Sequence, residues 1–67
     1  MSPVRVETYG SPEQVYGRLR QIGADFKQEH STTNRHVYWV GRSKSWLAVQ
    51  KRGPGYVVSY YSVCPCK

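Results

Sequence analysis

Basic and aromatic residues are mixed through one segment, HVYWVGRSKSWLAVQKRGPGYVVSYY, at positions 36–61. Aromatic rings offer stacking surfaces for unpaired bases, while lysine and arginine offer cationic contacts to phosphates. The pattern therefore predicts a nucleic-acid-binding surface, with neither catalysis nor a cofactor. The candidate contact residues are Arg35, Tyr38, Arg42, Lys44, Trp46, Lys51, Arg52, Tyr56 and Tyr60.

The charge of the chain is concentrated in its second half. The 67 residues carry ten basic and four acidic side chains, a formal net charge of +6. All four acidic residues precede Arg35, and six of the basic residues lie from Arg35 onward. A field of one sign attracts polyanions and speeds their encounter, although basic charge also serves solubility alone. This distribution favours DNA or RNA as the partner and predicts binding driven mainly by the phosphate backbone, with limited sequence specificity.

The first elements that must position these residues are a strand and a helix. VRVETY at positions 4–9 alternates apolar with polar residues, which is typical of a strand. Ser11, Pro12 and Gln14 then supply an N-cap, a first-turn proline and a capping box, so a helix begins here. Gly23 predicts its end near Ile22. The polar segment at positions 27–35 shows no clear period.

Three strands follow, at positions 36–40, 46–50 and 56–63, separated by the turn sequences GRSKS and KRGPG. The order is β-α-β-β-β. We predict the α+β class, with one small domain over residues 1–67, one helix packed on one face of an antiparallel sheet, and a loose C-terminal tail at 64–67.

Strict alternation along the strands divides the side chains between two faces of the sheet. The expected helix-facing set is Val37, Trp39, Leu47, Val49, Val57 and Tyr61. The other face would then carry His36, Tyr38, Trp46, Gln50, Tyr56 and Tyr60, with basic turns at both of its ends.

Other interpretations of the same residues stay open. The aromatic residues are also good strand formers that fill a small core, or they form a homodimer interface. A protein-interaction module, such as a small phage or viral inhibitor of a host protein, would use the same face. Neutralising Lys51 and Arg52 would separate these possibilities, since a protein partner depends more on aromatic anchors than on a basic rim.

Cys64 and Cys66 form a Cys-x-Cys pair, and a disulfide across one intervening residue would be strained. We expect reduced thiols. With His30 and His36 they make four zinc ligands by count, but their spacing matches no standard zinc site, so no metal is predicted.

A small ribonuclease is a further alternative, in which Glu29, His30 and His36 would act as acid and base with Arg35 or Tyr38. The segment LRQIGADFKQEHSTTNRHVYWV resembles the helix, glycine, strand and histidine layout of small HicA-type interferase toxins. It departs from that family where Thr33, Asn34 and Arg35 precede His36 in place of Gly-Ser, and in its leading strand and missing final helix.

The N-terminal sequence MSPVRVETYG lacks the basic and apolar regions of a secretory signal, and no apolar run is long enough to span a membrane. We therefore expect an intracellular protein, including a viral one acting inside its host cell, with no membrane partner.

Overall fold

A computed structural model describes residues 2–65, which fold as one helix against one five-stranded antiparallel sheet. The predicted α+β class is confirmed. The strand order in the sheet is β1-β5-β4-β3-β2, so the first strand of the chain pairs with the last. The elements are β1 (Arg5–Tyr9), α1 (Pro12–Gln21), β2 (Ala24–Phe26), a short 3-10 helix (Gln28–His30), β3 (Arg35–Val40), β4 (Ser45–Arg52) and β5 (Gly55–Tyr61).

The two ends of α1 follow from local signals. The Ser11 hydroxyl accepts a hydrogen bond from the Gln14 backbone N–H at 3.4 Å, and the Gln14 side chain accepts one from the Gly10 N–H at 3.0 Å. The predicted cap is thus present, with its return bond displaced by one residue from the usual capping box. At the other end Gly23 has a φ of 69°, the left-handed conformation that ends many helices.

One strand was not predicted. β2 has only three residues and lies at the edge of the sheet, where Phe26 pairs with Tyr38 and Ala24 with Val40. Three residues are too few to show a period of two, so this strand has no pattern that a sequence reading can detect. The observed order is therefore β-α-β-β-β-β.

The two hairpins fix how β3, β4 and β5 align. Arg52 pairs with Gly55, which leaves Gly53 and Pro54 as a two-residue turn in which Gly53 has a φ of 57°. Glycine at the first central position is typical of such tight hairpins. Between β3 and β4, Val40 pairs with Ser45, and the four-residue loop ends at Lys44 with a φ of 51°.

The core lies between α1 and one face of the sheet, the helix-side face. Val15 and Leu19 of α1 are buried there, and Leu47 of β4 has no exposed surface. Burying a leucine side chain completely stabilises the fold by about 1.5–3 kcal/mol, so these few residues dominate the stability of so small a domain. The buried cluster consists of Val15, Leu19, Tyr38, Val40, Leu47, Val49 and Val58.

The predicted division of side chains between the two faces is wrong for β3 and β5 and right for β4. Residues directly opposite each other in antiparallel strands share a face. Leu47 faces the helix, and its two partners Tyr38 and Tyr60 therefore face the helix as well. Val37, Trp39, Val57 and Tyr61, expected under the helix, lie on the opposite face, here called the distal face.

Within residues 2–65, no helix has the length and apolar character needed to cross a membrane.

Candidate nucleic-acid interface

Three aromatic residues form a row across the distal face. Trp39 of β3 pairs with Trp46 of β4, and Trp46 pairs with Tyr61 of β5. The two indole rings are in contact, with centroids 5.0 Å apart and planes inclined at 55°. All three side chains are partly exposed. These three residues, the aromatic row, run perpendicular to the strands and present rings on the side of the sheet that α1 leaves uncovered.

The loop between β3 and β4 places two cations beside the aromatic row. Arg42 and Lys44 are both exposed in this loop, between Val40 and Ser45. The indole nitrogen of Trp39 lies against the same loop, 3.5 Å from the point that a Cβ on Gly41 would occupy. The predicted grouping of basic residues at this end of the sheet is confirmed, and it adjoins the partly exposed Trp39.

At the other end of the sheet, the basic residues divide between the two faces. Lys51 pairs with Tyr56 on the helix-side face, whereas Arg52 pairs with Gly55 and alternates onto the distal face. Arg35, which pairs with Gln50, also lies on the distal face. The predicted phosphate contact at Lys51 is thus separated from the aromatic row by the thickness of the sheet.

Arg35 also holds the C-terminal segment. Its guanidinium donates a hydrogen bond of 2.9 Å to the carbonyl oxygen of Pro65. The guanidinium carbon, Cζ, lies 5.9 Å from the centre of the Tyr61 ring. Pro65 is buried. Of the tail expected to be loose at 64–67, the structure describes only residues 64 and 65, and this part returns to the distal face.

The centre of the distal face is covered, although α1 lies on the other side. Val37 and Ala48 are 0% and 2% exposed there. Two segments reach this face: the C-terminal one through Pro65, and the 3-10 helix, whose His30 ring lies 5.6 Å from that of Trp46. The surface left open is therefore the aromatic row and the basic residues around it rather than the whole face.

Three of the predicted base contacts lie on the helix-side face. Tyr38 is only 8% exposed, and burial raises the pKa of its hydroxyl. Tyr56 and Tyr60 are partly buried against the core. The reason is the register: their direct partners Lys51 and Leu47 alternate onto that side of β4. Among the aromatic candidates only Trp46 is on the distal face.

Tyr60 is instead part of a polar cluster around Glu7, between β1 and β5. The hydroxyls of Tyr9 and Tyr60 each donate a 2.7 Å hydrogen bond to one carboxylate oxygen of Glu7, and Arg5 lies 3.2 Å from the other oxygen. The Tyr9 and Tyr60 hydrogen bonds hold the pKa of Glu7 below its usual value. Burial, followed by the bond to Glu7, raises the pKa of Tyr9. The cluster joins the first and last strands.

Comparison with protein-family models, with curated proteins and with solved structures found no match.

Sequence reasoning missed Trp39 and Tyr61 as surface aromatics. For Tyr61, an identifying signal was present in the turn sequence. A two-residue turn at Gly53 and Pro54 aligns Arg52 with Gly55, and counting back along both strands sets Tyr61 opposite Trp46.

The residues considered for acid-base catalysis lie on two faces. The His30 ring contacts Trp46 on the distal face, whereas the His36 ring contacts Phe26 on the helix-side face at 5.6 Å. The proposed ribonuclease pair is therefore not assembled. Because they lie on opposite faces, the two histidines cannot bind one zinc ion together. In the described part of the chain, no group of three or more His, Cys, Asp or Glu residues is placed to hold a metal ion.

The thiol expectation also needs correction. Cys64 is disulfide-bonded rather than reduced. Cys66 lies outside the described residues.

Proposed function

We propose that this protein binds single-stranded nucleic acid through its distal face, inside cells, without catalysing a reaction. One observation carries the proposal: Trp39, Trp46 and Tyr61 form a partly exposed row next to the basic loop between β3 and β4. Stacking needs unpaired bases, because a duplex hides their flat surfaces. Each base stacked on an aromatic side chain contributes about 1–3 kcal/mol of binding free energy.

The surrounding charges suit a phosphate backbone. Arg42 and Lys44 adjoin one side of the aromatic row, and Arg35 and Arg52 lie toward the other end of the distal face. A strand of nucleic acid that crosses β3, β4 and β5 along the row has cations on both flanks. The contacts are to phosphates, which repeat along any sequence, so the proposed binding has little base specificity.

Intrinsic tryptophan fluorescence tests the proposal, because the only two tryptophans of the chain are the two in the aromatic row. The purified protein is titrated with a single-stranded DNA, the matching duplex and the matching RNA at several salt concentrations. We expect quenching by the single strands and an affinity that falls as salt rises. If the protein neutralises three phosphates of a single strand, a plot of log affinity against log salt concentration has a slope of about −2.

Charge variants identify the surface that binds. Arg42→Gln with Lys44→Gln is expected to weaken binding and to flatten the salt dependence by about 1.4. Arg18→Gln with Arg20→Gln removes the same charge from α1, on the other side of the sheet, and serves as the matched control. Equal losses from both pairs would point to net charge alone, and failure to bind any of the three nucleic acids at low salt would contradict the proposal.

A protein partner is the second candidate, and it rests on exposed apolar side chains at the edge of the sheet. Val4 and Val6 are 71% and 51% exposed, and β1 is an edge strand with no neighbour beyond it in the described chain. Exposed strand edges readily pair with other chains, a second copy of this one included. Val6→Lys would abolish such pairing without weakening oligonucleotide binding, since it removes no basic or aromatic side chain from the distal face. Sedimentation over a range of protein concentrations measures the first effect.

A further inference from the structure

A cavity of about 410 Å³ lies on the helix-side face, at the end of the sheet where β3 begins and β4 ends. Its volume is within the range of small-molecule sites in proteins, about 300–1,000 Å³. It is separate from the aromatic row, being on the opposite face and at the opposite end of the strands. Besides Gln50, the polar residues that line it are Tyr16, Thr33, Asn34, His36, Lys51 and Tyr56.

The cavity is lined by hydrogen-bond donors and one positive charge, without any carboxylate. The residues that line it include one lysine and no aspartate or glutamate. The lining residues carry hydroxyl, amide, imidazole and ammonium groups, and all of these can donate hydrogen bonds. Within residues 2–65, none of these six side chains makes a hydrogen bond or ion pair with the rest of the protein. Their donors are thus available to a ligand.

Four parts of the chain set this geometry. Tyr16 comes from the exposed side of α1, and Thr33 and Asn34 come from the turn that precedes β3. Reciprocal backbone hydrogen bonds between Thr32 and Arg35 close that turn, at 2.8 and 3.4 Å. Lys51 and Tyr56 are direct partners on β4 and β5. The donors are held mostly by paired strands and a closed turn, which limits the ordering that a ligand must impose.

A second cavity, of about 450 Å³, is a weaker candidate because its cations already have partners. Arg5 and Arg18 line it, but Arg5 pairs with Glu7, and Arg18 donates a 3.3 Å hydrogen bond to Gln21.

We propose that the cavity around Lys51 and Asn34 binds the phosphate group of a small phosphorylated molecule that carries a ring, such as a nucleoside monophosphate. Lysine and neutral donors without a nearby carboxylate suit a phosphate, which accepts several hydrogen bonds and carries negative charge. The rings of Tyr16 and Tyr56 and the side chain of Val49 provide apolar walls for the body of the ligand. This proposal does not depend on nucleic-acid binding at the distal face.

An NMR titration of the ¹⁵N-labelled protein tests it, with adenosine 5′-monophosphate, adenosine and inorganic phosphate as three separate ligands. We expect saturable shifts at the backbone amides of Asn34 and Lys51, with an affinity for the monophosphate at least about tenfold above that for adenosine. The two indole N–H signals report on the distal face in the same spectra. Shifts confined to the indoles would overturn the cavity proposal while supporting stacking at the aromatic row.

Two variants locate the site. Lys51→Gln is expected to weaken monophosphate binding about tenfold or more, and Asn34→Ala to weaken it without any change in charge. Arg18→Gln, an equal charge change at the other end of the helix-side face beside Val40 and Ser45, is the control and leaves the affinity unchanged. Equal affinities for adenosine and its monophosphate, or equal effects of Lys51→Gln and Arg18→Gln, would overturn the proposal.

A pair of oligonucleotides distinguishes the source of the phosphate. If a terminal phosphate enters the cavity, a 5′-phosphorylated single strand shifts the Asn34 and Lys51 amides, and the same strand with a 5′-hydroxyl does not. If the ligand is a free small molecule, the mononucleotide shifts these two amides and neither oligonucleotide does. Either result supports a phosphate site, and the absence of shifts at these amides with every ligand contradicts it.

Discussion

The backbone of Gly55 lies so close to Tyr9 that a Cβ at position 55 would be 2.6 Å from the Tyr9 carbonyl oxygen. That distance is too short for any side chain, and the obstacle is backbone. We therefore predict that Gly55→Ala forces β1 away from β5 and lowers the free energy of unfolding by about 1–3 kcal/mol. Urea denaturation followed by circular dichroism measures the change.

The matched control for this substitution is Gly17→Ala. Gly17 is inside α1, and a Cβ there would have no neighbour within 4 Å. Alanine favours the helix over glycine by about 0.5–1 kcal/mol, so this variant should be more stable than the original protein. If both variants changed stability in the same direction, the close approach of β1 to β5 would not be the cause.

Tyr60 and Tyr61 are adjacent in sequence but lie on opposite faces of the sheet. Substituting each in turn therefore shows which face binds nucleic acid. Tyr61→Leu should weaken single-strand binding about fivefold to a hundredfold, the loss of one stacked base. Tyr60→Phe should leave that affinity unchanged, although it removes a hydrogen bond to Glu7. Fluorescence titration of both variants provides the measurement, and a larger loss for Tyr60→Phe would contradict the assignment of faces.

The Glu7 cluster should make stability depend on acid pH. Hydrogen bonds from Tyr9 and Tyr60 lower the pKa of Glu7 in the folded state. The folded protein therefore binds this proton more weakly than the unfolded chain does. The stabilisation is fully present above the ordinary carboxyl pKa of about 4.3, and it is lost as the pH falls through the lower folded value. Denaturation at a series of pH values from 7 to 2 measures it.

Glu7→Gln should flatten this part of the pH profile, since the amide does not titrate. Glu29→Gln is the charge-matched control, because Glu29 is exposed on the 3-10 helix and far from β1 in the sheet order. A flattening as large in the control as in Glu7→Gln would exclude Glu7 as the origin.

Lys44 allows stability and binding to be separated. Its φ of 51° is left-handed, a conformation that costs a residue with a side chain about 1–2 kcal/mol and costs glycine almost nothing. Lys44→Gly should therefore raise the free energy of unfolding by about 1 kcal/mol and weaken nucleic-acid binding at the same time. Arg42→Gly removes the same charge from the same loop without that gain. Equal stability effects of the two changes would contradict the conformational argument.

The sequence predicted the elements whose signals are local. Ser11, Pro12 and Gln14 at the start of α1 and Gly23 at its end act within one turn of the chain, so no tertiary information was needed. The hairpin turns were recognised for the same reason. β2 was missed because three residues at a sheet edge are defined by their pairing with β3 rather than by their own pattern.

The assignment of faces failed because β3 and β5 carry large side chains on both sides. Val37 and Tyr38 are both buried, on opposite faces, so hydrophobicity does not distinguish them. What decides is the register with β4, where Leu47 faces the helix. The burial of Val37 depends on segments that return from far along the chain, such as the one that ends at Pro65, and alternation within a strand carries no information about them.

The strand order has a consequence for how the chain folds. β2 to β5 are joined by short connections and can form soon after they are made, but β1 pairs only with β5. Closing so long a loop costs chain entropy before any contact repays it, and it slows folding. During synthesis on the ribosome, β1 is made before the other strands, and its exposed Val6 stays unpaired until β5 follows. β1 is therefore open to aggregation, or to capture by a chaperone, until β5 has been made and can pair with it.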